Sequence, residues 1–225
     1  MSLRSAASVV ALAGVLLAPS AMAQANASRP SGSQSPGSVA NSMSLLRALA
    51  GEWQGSVQGR QLDGKMSSSI VNASIRLENG GSSVAARFDG FLFGKDYDGG
   101  AIWQQQGGSL TSAWRDSRLD ASVQAQSSGA DSANSVSFSA QMSLPGSSKP
   151  LNVREVVSVL SADHVSIEWF VINDQGKQIS VLSMDLNRMP KNEKSAAASR
   201  FDEPLMAALR QDSQSSRSAA ARGDE

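Results

Sequence analysis

The chain has 225 residues, 20 basic against 20 acidic side chains, no cysteine and a single histidine, His164. That inventory excludes disulfides, thiolate nucleophiles and thiolate metal sites, and within one chain it excludes a multi-histidine zinc centre. Balanced charge without a polybasic run argues against nucleic acid as the main partner, and against an anionic membrane surface, because phosphate recognition needs a concentrated basic field.

Residues 1–23 read as a signal peptide. Arg4 supplies a positive n-region, Ser8 to Ala18 an apolar core, and Ala21-Met22-Ala23 a small-x-small site before Gln24. Cleavage near Ala23 is expected, giving an exported product, periplasmic or secreted. The apolar core is too short to cross roughly 30 Å of hydrocarbon at about 1.5 Å per residue. No later stretch is apolar enough for a spanning helix, so membrane insertion is not expected. Residues 24–42 are mostly Ser, Gly, Ala, Asn, Pro and Gln, which bury too little apolar surface to offset ordering entropy; they predict a flexible leader.

A domain is expected over residues 43–190. It opens with a short helix from Ser42 to Ala50, with Ser42 or Ser44 as N-cap and Gly51 as the stop. Leu45, Leu46 and Leu49 would plug the end of whatever lies beyond. From Gly51 the hydrophobic period becomes two. Trp53, Gly55 and Val57 share one face of a first strand, and Val71, Ala73, Ile75 and Leu77 alternate in a second. Further strands are predicted over 83–93, 101–105, 109–116, 121–126, 136–142, 153–160, 165–172 and 179–188, with turns at Asn79-Gly80-Gly81, Gly107-Gly108 and Asn173 to Gly176. About ten short antiparallel neighbours suit an all-β, closed up-and-down barrel, which leaves no free edge; an open sandwich is the alternative. Residues 191–225 carry Pro, Ser, Ala and mixed charges and predict a mostly disordered polar tail, in which 201–209 could make one or two helical turns and dock on the domain or on a protein partner.

Gly51-x-Trp53, Trp114-Arg115-Asp116, Arg154-Glu155-Val156, Glu168-Trp169-Phe170, Gly176-Lys177 and Arg188 occur in that order over residues 44–189. In order and spacing they resemble a bacterial family of uncharacterised lipocalin-like domains within the calycin superfamily. The resemblance implies that Arg188, from the last strand, covers the Trp53 ring at the closed end of the barrel. A guanidinium over an indole gains cation–π attraction there. One departure is Ile102-Trp103-Gln104, where the family has Gly-Tyr-Asp, so that aspartate's role does not carry over. The family has no assigned general activity, so the resemblance implies a fold rather than a function.

Gly51, Trp53 and Arg188 are therefore expected to close the barrel. Trp103 and Trp114, the latter on a face with Leu110, Ser112 and Asp116, are candidates for core or for cavity lining. Arg87, on the face of Ala85, Asp89, Phe91 and Phe93, Arg154, on that of Val156, and Glu168, on that of Phe170, are charges among apolar residues. Each is either an outer-face ion pair or a polar group orienting a ligand inside the barrel. His164, after Asp163, reads as a solvated loop residue, and Asp96-Tyr97-Asp98-Gly99-Gly100 as loop, short of the ligand count of a calcium loop. No nucleophile elbow, phosphate loop or dinucleotide fingerprint is present, and no cofactor, metal or catalytic set is expected. The favoured function is non-catalytic binding of a small, partly apolar molecule. The alternative is an envelope interaction protein acting through its loops or tail.

Overall fold

The computed structural model describes residues 36–61, 64–106, 108–118, 122–142, 150–190, 193, 196–199 and 204–220, all within the unit Gln34–Glu225. The expected signal peptide and most of the expected leader lie outside the described residues. Ten strands follow a first helix: α1 (Pro36–Arg47), β1 (Gly51–Arg60), β2 (Met66–Glu78), β3 (Ser83–Leu92), β4 (Lys95–Gln106), β5 (Ser109–Asp116), β6 (Val123–Ser132), β7 (Ser135–Met142), β8 (Leu151–Ser161), β9 (His164–Ile172) and β10 (Gln178–Arg188). Each pairs with its sequence neighbour, and β1 pairs with β10, closing an antiparallel up-and-down barrel. Among the described residues no helix is long and apolar enough to cross a membrane.

Register fixes which side chains turn inward. On β1, Trp53 and Val57 are fully buried while Gln54 and Gln58 are exposed; their partners Arg188 and Met184 on β10, and Ala73 and Ser69 on β2, share that inner face. Following the ladders round, Phe88, Trp103, Trp114, Phe138, Val157, Ile167 and Leu186 point into one continuous core.

Helix α1 begins at Pro36, six residues upstream of the expected N-cap and inside the expected flexible leader. Proline suits a first helical turn. The deciding force is apolar spacing: Val39, Met43 and Leu46 recur on one face, and with Leu49 all four are at most 1 % exposed against the barrel end. Burial of such side chains contributes about 1.5–3 kcal/mol each, which outweighs the polar composition between them.

The carbonyls released where α1 ends are taken up by side chains. Trp53 Nε1 donates to Leu49 O (2.8 Å), and Arg188 donates through Nη1 to Ala50 O (2.9 Å) and through Nη2 to Ala48 O (3.0 Å). The Arg188 guanidinium carbon lies 4.1 Å from the centroid of the Trp53 ring. Gly51 permits this approach: its φ is +149°, and a Cβ there would meet Arg188 Nη1 at 2.3 Å. Gly51, Trp53 and Arg188 thus meet at one end of the barrel, together with α1.

The tail carries more order than its composition predicts. After a short turn of helix, α2 (Ala196–Ser199), α3 (Pro204–Ala220) runs 17 residues and lies on the outer face of β3–β5. Met206 and Leu209 are buried against Ala85, Ile102 and Ala113, with Leu205 beside them. Gly100 is the seat: a Cβ there would come within 2.8 Å of Leu205, Met206 and Leu209. Arg210 binds Glu78 at 2.6 Å and Ser122 Oγ donates to Asp212 at 2.6 Å. A helix of this length is marginal alone and holds because a sheet face receives its apolar stripe.

Two local expectations also change. Asp96 to Gly100 is strand rather than loop, with Tyr97 inward and Asp98 outward against Arg87. His164 opens β9 rather than sitting in a loop, and its Nε2 lies 2.9 Å from Asp185 Oδ1 in a partly exposed pair.

Candidate functional site: a polar cluster inside the barrel

Strand β8 has the sequence Val153-Arg154-Glu155-Val156-Val157, with Val153, Glu155 and Val157 turned inward and Arg154 outward. Glu155 is fully buried. Across the barrel, Trp103 Nε1 of β4 donates to its Oε1 (3.0 Å), and Ser112 Oγ of β5 donates to its Oε2 (2.5 Å). Both oxygens therefore have partners, but both partners are neutral. Burial pushes the Glu155 carboxyl up to about 7, with the hydrogen bonds from Ser112 and Trp103 pulling the other way. The interior thus holds an inward carboxyl with no charged partner among the described residues, raised toward neutrality by burial.

Around it lies an aromatic wall. Trp169 of β9 stands directly opposite Glu155 in the β8–β9 register, and Phe138 of β7 stands opposite on the other side. The Trp169 and Trp114 rings are 5.6 Å apart, and those of Trp114 and Phe88 5.2 Å, both tilted. Trp169 is 6 % exposed, and its indole Nε1 has no hydrogen-bond partner among the described residues. A buried donor left in this state costs about 1–3 kcal/mol. Small inward residues are interleaved with these rings: Ala73 is the ladder partner of Phe88 and Ala101 that of Trp114, and Ala86 and Ala125 also turn inward.

A second polar group lies toward the end of the barrel away from α1. Asp116, 1 % exposed, accepts from Trp114 Nε1 (3.3 Å) and from Arg118 through Nε (3.1 Å), Nη2 (2.6 Å) and the backbone N–H (2.9 Å). Arg118 also lies 5.7 Å from the Tyr97 ring centroid. The Tyr97 hydroxyl is buried with no hydrogen-bond partner among the described residues, and burial followed by the charge of Asp116 raises its pKa well above the usual value. At that end, too, an arginine rests against an aromatic ring and pairs with a carboxylate, as Arg188 does with Asp163 at 3.4 Å.

The sequence-derived candidates divide cleanly by face. Trp103, Trp114 and Asp116 turn inward and belong to these clusters. Arg87, Arg154, Glu168 and Phe170 turn outward and are not brought to the interior. Arg87 is buried all the same, because α3 covers its face; it pairs with Asp98 and donates to Gly99 O (3.2 Å). Ala85, on the same strand face, is part of the floor on which α3 rests, whereas Phe91 on that face is exposed. Arg154, Glu168 and Phe170 are partly exposed on the outer wall. The residues not singled out from sequence are Glu155, Trp169, Tyr97 and Arg118. Glu155 had a usable signal, a charge alternating with Val153 and Val157, but Val156 makes the other face of β8 apolar as well.

Two clefts lie outside the barrel. One of about 670 Å³ runs between α1 and the β6–β7 hairpin, lined by Asn41, Ser44, Leu45 and Asn134 among others. The other, about 390 Å³, follows α3 beside Glu78 and Arg210. The second is lined by the buried polar side chains Ser83, Gln104 and Ser213, but among the residues lining the two clefts none is a fully buried carboxyl like Glu155.

Among known proteins, no curated sequence matches the chain. It is similar in fold to Rv2717c from M. tuberculosis (11 % identity, TM-score 0.46, covering 66 % of this chain and 98 % of that one). It is also similar to the S-type phycobiliprotein lyase CPES from Guillardia theta (9 % identity, TM-score 0.43, 67 % and 93 %). A de novo designed fluorescence-activating β-barrel is a third (14 % identity, TM-score 0.33, 64 % and 96 %). A family of proteins of unknown function, DUF1579, matches residues 40–188, which include all ten strands. The chain belongs to the DUF1579 family.

Proposed function

We propose that this is a lipocalin-like binding protein whose barrel interior holds a small, partly apolar molecule without transforming it. The observation that carries the reading is the polar cluster at Glu155, set in an aromatic wall beside the unpartnered Trp169 indole. Ligand sites are mostly apolar with a few placed polar groups, and a barrel interior filled only for stability would gain nothing from a buried carboxyl. Ten strands also make a wider barrel than the eight that suffice to hold one small ligand. Titration with Nile red, a neutral apolar dye, tests this. Enhanced dye emission with quenching of tryptophan is expected, lost in Glu155→Trp, which fills the site. Enhancement unaltered by Glu155→Trp would overturn it.

One observation favours a second reading. A buried carboxyl near neutrality next to Ser112 resembles a general acid–base group. Both its oxygens are already engaged, however, and hydrolysis of aryl esters that disappears in Glu155→Gln would be needed to prefer catalysis. The interaction-protein reading loses much of its motive, since Met206 and Leu209 are buried against the barrel by their own chain. Export forms part of the proposal, on the pattern of residues 1–23. N-terminal sequencing of the protein from its native host should begin at Gln24.

A further inference from the structure

Glu155 and Trp169 are partners on the β8–β9 ladder: Glu155 accepts at both oxygens but has no charged partner among the described residues, and Trp169 Nε1 has no acceptor. The donors that hold Glu155, Trp103 and Ser112, are neutral. Building on the interior-binding reading above, we propose that the ligand presents an adjacent hydrogen-bond donor and acceptor, as in a lactam or amide on an apolar ring system, the donor to the Glu155 carboxylate and the acceptor oxygen to the Trp169 indole N–H.

The alternatives each leave one need unmet. An organic anion would accept from Trp169 but would lie against the Glu155 carboxylate in a dry interior, where like charges repel strongly. The described cations at the two ends of the barrel are already engaged, Arg118 by Asp116 through two side-chain bonds and Arg188 by the Ala50 and Ala48 carbonyls. An organic ammonium would neutralise Glu155 and favour the aromatic wall, but it is donor-only and leaves the Trp169 N–H orphaned. A neutral donor–acceptor edge completes both and brings no charge into the barrel. Its flat apolar body would lie against the Trp169–Trp114–Phe88 rings, beside the small ladder partners Ala73 and Ala101.

The test compares four probes of similar size at about pH 8, where Glu155 is mainly ionised: carbostyril (a bicyclic lactam), naphthalene, naphthoate and naphthylmethylamine, each read by quenching of tryptophan emission. Carbostyril should bind roughly tenfold or more tighter than the other three. Trp169→Phe should remove most of that advantage while changing naphthalene affinity by no more than about twofold, which also reports that the variant is folded. If naphthoate or naphthylmethylamine binds as tightly as carbostyril, or the advantage survives in Trp169→Phe, the proposed ligand class is wrong although the interior still binds. If none of the four quenches tryptophan emission, the interior-binding reading itself fails.

Discussion

Trp103 on β4 and Glu155 on β8, 52 residues apart in sequence, meet inside the barrel through a 3.0 Å hydrogen bond from the indole N–H to the carboxylate. Strands β4 and β8 are not neighbours, so this bond spans the interior rather than following a ladder. It is the link between the fold and the proposed site, because it holds a carboxyl in place where an apolar core would otherwise exclude one.

The first prediction concerns pH. Folded Glu155 holds its proton up to about 7, against 4.5 for the free side chain, so between those values the folded state binds more protons than the unfolded one. The contribution of this group to stability therefore falls as pH rises through that window, by about 3 kcal/mol in all, and is level above it. Glu155→Gln removes the titration. Denaturant melts should show the variant gaining on the parent protein by about 3 kcal/mol between pH 5 and pH 8. A difference that stays constant with pH would show that Glu155 titrates normally.

At the other polar contact, the prediction is structural. Trp53 is fully buried, donates to Leu49 O and lies beneath Arg188. Trp53→Ala should cost about 3–5 kcal/mol while leaving dye affinity unchanged in the protein that remains folded. Loss of binding with an unchanged melting curve would reverse the assignment of this end as the seal.

The α3 contact gives a third. Gly100→Val places methyl groups where Leu205, Met206 and Leu209 now pack. Limited proteolysis should cut the region after Pro190 faster in this variant, while the far-ultraviolet spectrum of the barrel persists. Unchanged protection would mean that α3 is not held by this face.

Much of the fold was legible in the sequence because strand alternation is local. All ten strands were expected, and the placing of Arg188 over Trp53 at the closed end came from the family resemblance rather than from alternation. The site was less legible because inward and outward depend on tertiary cover. Ala85 and Phe91 gave Arg87 an apolar face, yet that face is outer wall, roofed by α3 where Ala85 meets Met206 and Leu209. On β8 both faces carry valine, so alternation alone could not decide between Arg154 and Glu155. Val39 was hidden in a polar leader, and α3 in a polar tail, because each forms only against a surface supplied by distant strands.

The most direct test follows the four tryptophan indole N–H signals and the backbone amide signals of isotope-labelled protein during Nile red titration. Binding at the proposed site should shift the Trp103 and Trp169 signals most, with Trp53 at the sealed end least affected. Perturbations confined to Asn41, Ser44 and Asn134 in the α1 cleft, with the interior indoles unmoved at saturation, would contradict it.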